Sequence, residues 1–224
     1  MINYLHYLMH KPEKGWDPVP SAYAKKYAEV NYASLSHALI ADVVAFTGDL
    51  NGQHVLDLGA GPGQYSIEFS KLGAVVTWHD ISRNYLNIAK EKSAEQNVVI
   101  AHYKLDYMDN ASGQYDLIFN RVCWFYCISD RRFAETLLGC LRENGKMYLV
   151  VHNEDFRGSD YNDIPTLTKW RSQFFAAVNN YTGIKIGHPH MSKARIEKLF
   201  RGLKAKSVEI SHDLEGSTTI KICK

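Results

Sequence analysis

The stretch Val55-Leu56-Asp57-Leu58-Gly59-Ala60-Gly61-Pro62-Gly63 decides how this chain is read. Val55, Leu56 and Leu58 describe a short buried strand with one charge, Asp57, inside it. The five residues that follow form a turn almost without side chains. Gln64 to Leu72 comes next, with Tyr65, Phe69 and Leu72 on one helical face and Gly73 at the C-cap position. Strand, glycine turn and helix in that order put the turn at the carboxyl edge of an open α/β sheet, where ligands bind. Glycines there let a ligand lie against the backbone, because a Cβ would take its space.

A dinucleotide fingerprint, G-x-G-x-x-G, would need glycine at position 64, but the residue is Gln64 and the third glycine is Gly63. Asp57 would also oppose an anionic pyrophosphate. It suits a ligand with a cationic end, such as an amino group or a sulfonium. The pattern D-x-G-x-G-x-G from Asp57 to Gly63 resembles the first motif of the class I S-adenosylmethionine-dependent methyltransferases. The resemblance implies a doubly wound, mostly parallel seven-stranded α/β sheet with helices on both faces and an N-terminal helical lid. It implies S-adenosyl-L-methionine as cofactor and S-adenosyl-L-homocysteine as product, held by Asp57, Gly59, Ala60, Gly61 and Gly63.

Composition agrees with a single α/β domain. The 224 residues are 46% hydrophobic and 22% charged, enough for a sizeable core, and the net charge of +2 signals no strongly charged partner. Four cysteines show no C-x-x-C pair, so zinc is not expected and reduced thiols in a cytoplasmic protein are. The start, MINYLHYLMHKPEK, lacks the basic and continuous apolar regions of a signal peptide, and no apolar run reaches membrane-spanning length. The expected division is an N-terminal segment and lid over residues 1–46 and a cofactor-binding domain over 47–224, with a substrate insertion at about 152–191.

Pro12, Pro18 and Pro20 around Gly15-Trp16 predict an irregular start. Helical periodicity begins at Ser21, with Tyr23 and Tyr27 on one face and Leu35, Leu39, Val43 and Phe46 on another. In the family such helices fold over the cofactor, so Tyr23, Tyr27 or Tyr32 is a candidate for its methionine carboxylate; packing on the sheet is the alternative. Ala74 to Asp80 is an apolar strand ending in an acid. Asp80 is expected to accept both ribose hydroxyls, with simple capping as the alternative, Ile81 covers the adenine, and Ser82 caps the next helix. Val98 to Tyr103 reads as strand three, after which the family keeps an acid near the adenine amino group, here Asp106, with Tyr107 or Met108 beside the ring.

Tyr115 to Asn120 reads as strand four, whose end is where a methyl acceptor meets the cofactor, and Asn120 belongs to the expected cofactor set. The next residues, Arg121-Val122-Cys123, lack the D/N-P-P-aromatic run of adenine amino-methyltransferases and the Pro-Cys nucleophile of cytosine enzymes, which argues against DNA. Cys123 and Cys127 read as small buried hydrophobes. Trp124, Phe125 and Tyr126 either line a substrate pocket with Tyr23 or start the next helix. Phe133, Leu137, Leu138 and Leu141 continue that helix to Asn144-Gly145, and Lys146 to Val151 is strand five.

Residues 152–191 mix Glu154, Asp155, Asp160 and Asp163 with Phe156, Tyr161, Trp170, Phe174, Phe175 and Tyr181, suiting a small organic acceptor. Trp170 to Val178 also fits the buried face of an amphipathic helix. His152 is the leading candidate general base, with His188 and His190 behind it; a metal reading of those two lacks further ligands. Ser192 caps a last helix, and Ser207 to Ile210 with Thr218 to Ile222 form an edge hairpin. Seven Lys and Arg residues between Lys185 and Lys206 are either a solvated face or an RNA footprint. The expected function is methyl transfer to a small organic acceptor. An RNA or protein methyltransferase and a catalytically silent cofactor-binding protein are the rivals; a Trp124 buried in the core, or an open basic groove leading to the methyl group, would sink the small-molecule reading and promote RNA.

Overall fold

A computed structural model describes Pro12 and residues 17–156 and 165–224. The readings made for the rest of residues 1–16, and for Asp160, Tyr161 and Asp163, lie outside the described residues. Two helices, α1 (Ser21–Ala33) and α2 (His37–Thr47), precede β1 (His54–Leu58). The alternation then runs α3 (Gln64–Lys71), β2 (Val75–Asp80), α4 (Arg83–Glu95), β3 (His102–Leu105), β4 (Tyr115–Arg121), α5 (Asp130–Gly139) and β5 (Leu141–His152). Helices α6 (Thr166–Thr182) and α7 (Lys193–Arg201) lead to β6 (Ser207–His212) and β7 (Ser217–Cys223).

The strands form one sheet in the order β3-β2-β1-β4-β5-β7-β6. The first five are parallel, and β7 runs antiparallel to both β5 and β6. Order reverses between β1 and β4, the switch point at which an open sheet leaves a crevice above its carboxyl ends. Every residue of β1 after His54 is buried, as a central parallel strand covered on both faces requires.

Side-chain alternation splits the core into two layers. Leu56, Ile118, Phe133, Leu149 and Phe200 pack on one face; Val55, Phe69, Trp78, Phe119 and Tyr148 pack on the other. Phe119 anchors the second layer, with its ring edge-on to Phe69 and tilted against Tyr65. Truncating so enclosed an aromatic costs about 3–5 kcal/mol.

Several expected boundaries move. The helical stretch that begins at Ser21 divides at Ser34–Ser36, where Ser36 caps α2 by accepting from the Leu39 N–H. Strand three starts at His102 rather than Val98, because Asn97 adopts a left-handed φ of 54° to end α4. Helix α5 stops at Gly139, not at Asn144-Gly145. Leu141 already pairs with Tyr115, and the Asn144-Gly145 turn lies inside an irregular β5. Helix α6 forms, but its large residues are not its buried ones: Leu167, Trp170 and Phe174 are exposed and Asn179 is buried. The caps predicted at Ser82 and Ser192 are present.

Candidate active site

The glycine turn is fastened to β2. The Gly59 N–H donates to the His79 carbonyl, the Gly61 N–H to Asp80 Oδ2 at 2.9 Å, and the Trp78 indole to the Gly61 carbonyl at 2.9 Å. The three glycines are not equivalent. A Cβ on Gly59 would lie 2.1 Å from Cys123 Sγ, and one on Gly63 would lie 2.7 Å from the Ala89 methyl. Only at Gly61, at φ 54°, does the missing Cβ face open space. Expectation had every glycine making room for a ligand; two of them make room for the protein instead. Ala60 is buried beneath the turn.

Asp57 is 3% exposed and accepts the Ser66 hydroxyl at 2.5 Å. Burial, helped by the nearby Asp80 carboxylate, pushes its carboxyl up to about 7. Asn120, at the end of β4, donates through Nδ2 to the Leu58 carbonyl and to Cys123 Sγ, both at 2.8 Å. Asn120 Oδ1 and Oε1 of Gln64, the first residue of α3, are buried acceptors without a hydrogen-bond partner among the described residues. Buried acceptors of this kind are rare unless a ligand or water answers them. Two orphaned acceptors and a reluctantly ionised carboxylate around an open backbone fit a cationic donor such as the amino group of S-adenosylmethionine.

Asp80 is half-buried at the end of β2, with Oδ2 accepting from Gly61 and Oδ1 from the Ser82 N–H at 2.9 Å. Each oxygen retains a lone pair, so the ribose and capping readings are compatible. Ile81 is half-buried beside it. Asp106 turns Oδ1 onto its own loop, accepting from the Tyr107 N–H and from Asn110, while its other oxygen makes no hydrogen bond among the described residues. The Tyr107 carbonyl meets the buried His79 ring.

Tyrosines of α1 reach this edge. Tyr23 stacks on Tyr27 with ring centroids 5.9 Å apart, and Tyr27 leans on Tyr85 of α4. The Tyr32 hydroxyl donates to the Pro62 carbonyl at 2.9 Å, which commits it to the glycine turn rather than to a methionine carboxylate. Ahead of α1, Asp17 accepts from the Ser82 hydroxyl and from the Asn84 N–H, giving α4 a second cap from outside the helix. Nothing in the sequence signals that contact.

Trp124 overturns its assignment. It is 2% exposed, its ring packs on Phe133 and Phe200, and its indole donates to the buried Asp130 at 3.1 Å. It belongs to the core, whereas Tyr126 is 55% exposed. Burial of Trp124 was the sign expected to sink the small-molecule reading and promote RNA; that sign is met, so Trp124 no longer supports a small-molecule pocket, but the basic stretch invoked for RNA is itself diminished. Lys185 is buried, 2.9 Å from Asp130 Oδ1, and Arg195 lies 3.0 Å from Asp130 Oδ2. Cys127 is buried as expected, with Lys185 Nζ 3.2 Å from its sulfur, but half-buried Cys123 lies in the site against Gly59 and Asn120.

His152 stands at the end of β5 with its ring stacked on Phe156 and edge-on to His190. Burial, then His190 and Arg121, lower its pKa to about 4, so the imidazole is neutral at physiological pH. The β6–β7 turn supports this stack: Gly216 sits directly on the Phe156 backbone, and its carbonyl accepts from the Asn153 N–H. Arg121, the last residue of β4, was overlooked; its guanidinium lies 5.5 Å over the Tyr65 ring. Among the described residues, no three His, Cys, Asp or Glu side chains converge as metal ligands, and no helix is long and apolar enough to cross a membrane.

Residues 55–145 match the methyltransferase-domain family model. The chain is 25% identical over 114 residues to a ubiquinone biosynthesis O-methyltransferase of Coxiella burnetii, covering 50% of this chain and 49% of that one. It thus spans about half the length of that relative. A structure from Methanococcus maripaludis assigned to the S-adenosyl-L-methionine-dependent methyltransferases aligns with TM-score 0.67 at 18% identity, covering 94% of this chain and 96% of that one. Magnesium protoporphyrin IX methyltransferase from Synechocystis, solved with S-adenosylhomocysteine bound, aligns with TM-score 0.61 at 19% identity, covering 94% and 90%. Residues 55–145 are thus a methyltransferase domain, and the chain as a whole shares the fold of these S-adenosylmethionine-dependent methyltransferases, with this sheet order and this glycine turn.

Proposed function

We propose that the chain transfers the methyl group of S-adenosylmethionine to a hydroxyl oxygen of a small organic acceptor, held between α1 and the carboxyl ends of β4 and β5. The observation that carries this reading is the unanswered set around the glycine turn: the raised Asp57 carboxyl and the orphaned oxygens of Asn120 and Gln64. Oxygen as the receiving atom is supported by the O-methyltransferase name of the Coxiella relative.

The bound cofactor supplies a methyl group already made electrophilic by its sulfonium charge. The chain's part is to bind and align. Asp57, Asn120 and Gln64 answer a cationic amino group, and Asp80 offers its free lone pairs to the ribose hydroxyls. Ile81, Asp106 and Tyr107 border the base. Tyr23, Tyr27 and Tyr126 close over the acceptor and exclude water. Holding two reactants in line in this way supplies roughly 7–11 kcal/mol of a displacement barrier. His152, being neutral, takes the hydroxyl proton as the oxygen attacks.

The test is incubation with S-adenosylmethionine and a panel of phenols, hydroxy acids and bulk RNA, reading S-adenosylhomocysteine release and the methylated product by mass spectrometry. A methylated small molecule supports the proposal. Methylated RNA alone transfers the activity to nucleic acid, and tight S-adenosylhomocysteine binding without any turnover makes the chain a silent binder.

A further inference from the structure

Resting on that reading, we infer that Arg121 determines acceptor specificity by pairing with a carboxylate on the methyl acceptor. Arg121 ends β4, and alternation puts it on the same face as Phe119 two residues earlier. Its register partner on β5 is Val150, so His152 lies diagonally beyond it on that face, and Tyr65 lies beneath the guanidinium. Burial raises the Tyr27 phenol above its ordinary value and the Arg121 charge offsets part of that, while the same charge adds to burial and His190 in disfavouring protonation of His152. The cation therefore stands between the lid, α3 and the candidate base.

Among the described residues nothing neutralises it. Arg142 takes Asp116 at 2.8 Å and Arg195 takes Asp130 at 3.0 Å, but half-buried Arg121 has neither a carboxylate nor a hydrogen-bond acceptor among the described residues. A guanidinium partly withdrawn from water and left unpaired is unfavourable until an anion arrives, and its planar fork matches a carboxylate. The backbone that presents it is strained: Val122, the next residue, is β-branched and held at φ 58°, with its N–H bonded to the Val150 carbonyl at 2.7 Å. Strain of that kind persists where a functional residue must be aimed.

Position across the sheet separates two possible anions. Asp80 and Asp57 stand at the ends of β2 and β1, whereas Arg121 ends β4 with Val150 of β5 as its register partner, and its charge is felt at His152. The acceptor side of the site, not the methionine carboxylate, is its field. An acceptor carboxylate there would also offset the positive charge beside His152 and restore basicity to the imidazole when substrate is bound.

The test measures binding to protein saturated with S-adenosylhomocysteine, using benzoate, salicylate, para-hydroxybenzoate and protocatechuate, each against its neutral amide. Wild type should prefer at least one carboxylate over its amide by about tenfold or more, as expected for a charge-assisted pair. Arg121→Gln should abolish that preference and Arg121→Lys retain part of it, with S-adenosylhomocysteine affinity within about twofold of wild type in both. Melting temperatures establish that the variants fold, and Arg121→Met, which keeps the stem over Tyr65, replaces the Gln variant if that does not. No preference for any carboxylate in wild type, including no binding of any pair, overturns the inference. A tenfold loss of S-adenosylhomocysteine affinity in Arg121→Gln also overturns it, by assigning the guanidinium to the methionine carboxylate. Failure of S-adenosylhomocysteine to bind wild type would instead remove the proposed function itself.

Discussion

Ser66 Oγ donates to Asp57 Oδ2 at 2.5 Å across the first turn of α3, so the charge inside β1 is held by the helix that follows it. That single hydroxyl does not offset burial, and the Asp57 carboxyl rises to about 7. In the unfolded chain the same group ionises near 4. Between those values the folded state holds the extra proton, so stability falls as pH rises from about 4 to 7 and stays reduced above it. At 1.36 kcal/mol per pKa unit the loss is about 4 kcal/mol at most. Asp57→Asn should flatten this decline and melt higher than wild type at pH 8. It should also lose S-adenosylhomocysteine affinity, because the amino group loses its counter-charge. Melting curves from pH 5 to 8.5 with calorimetry decide it; a variant that melts lower at pH 8 removes Asp57 from this role.

Asp80 does two jobs, and one substitution separates them. Asp80→Asn replaces an oxygen that accepts from Gly61 or Ser82 by a donor, so the free protein should melt lower. If the free lone pairs also take ribose hydroxyls, S-adenosylhomocysteine affinity should fall by about 1.5–3 kcal/mol, the range for hydrogen bonds to a charged group. Calorimetry at a temperature where the variant is folded reads the second effect alone. Unchanged affinity would leave Asp80 as a cap.

Asp17 ties the segment before α1 to the N-terminus of α4 through Ser82 and Asn84. If residues before β1 act as a lid, limited proteolysis within 17–33 should be faster in the free protein than with S-adenosylhomocysteine. Asp17→Ala, losing a cap worth about 1 kcal/mol, should accelerate cleavage in both states. Equal cleavage of wild type with and without S-adenosylhomocysteine would make α1 a fixed part of the core.

How much of this was legible in the sequence follows the range of each interaction. The strand-turn-helix around Gly61, the Ser82 and Ser192 caps, and the acid at the end of β2 depend on neighbours a few residues away, and all were readable. Trp124, Lys185 and Arg195 were misread because their environment is one carboxylate, Asp130, that lies 65 residues from Arg195 along the chain. No periodicity announces a buried ion cluster in an irregular segment. Arg121 was overlooked for a different reason: its significance is the absence of a partner among the described residues, which only three dimensions reveal. Cys123 reads as a small apolar residue until Gly59 is found against its sulfur.

The Asp130 cluster makes its own prediction. Burial alone would raise the Asp130 carboxyl, but Lys185 and Arg195 together hold it below the ordinary range. Asp130→Ala would leave two cations facing each other in a buried or half-buried place, and breaking such a pair from one side costs about 3–5 kcal/mol. Lys185→Met removes one cation while Arg195 still answers Asp130, so it should cost clearly less. Urea unfolding of both variants reads the order; equal losses would mean that Lys185, not Asp130, is the hub.

His152 and Arg121 allow the proposed base to be tested before any acceptor is known. Burial, His190 and Arg121 all disfavour the imidazolium, which is why the ring titrates near 4 rather than 6.5. Removing the guanidinium removes one of the three causes, so in Arg121→Gln the His152 pKa should move up toward the ordinary value. Burial and His190 remain, so the return should be partial. Nuclear magnetic resonance titration of the ring between pH 4.5 and 8 would show wild-type His152 neutral across most of that range and the variant titrating at higher pH. An acceptor carboxylate paired with Arg121 should move the ring in the same direction as the substitution, because either one cancels the same charge. Once an acceptor is in hand, His152→Gln should lower kcat by about 10²–10⁴, the usual contribution of a positioned base. The KM for S-adenosylmethionine should stay close to wild type. If instead His152 titrates at its ordinary value in wild type, the Arg121 charge is not felt there and the base must be sought elsewhere along the crevice.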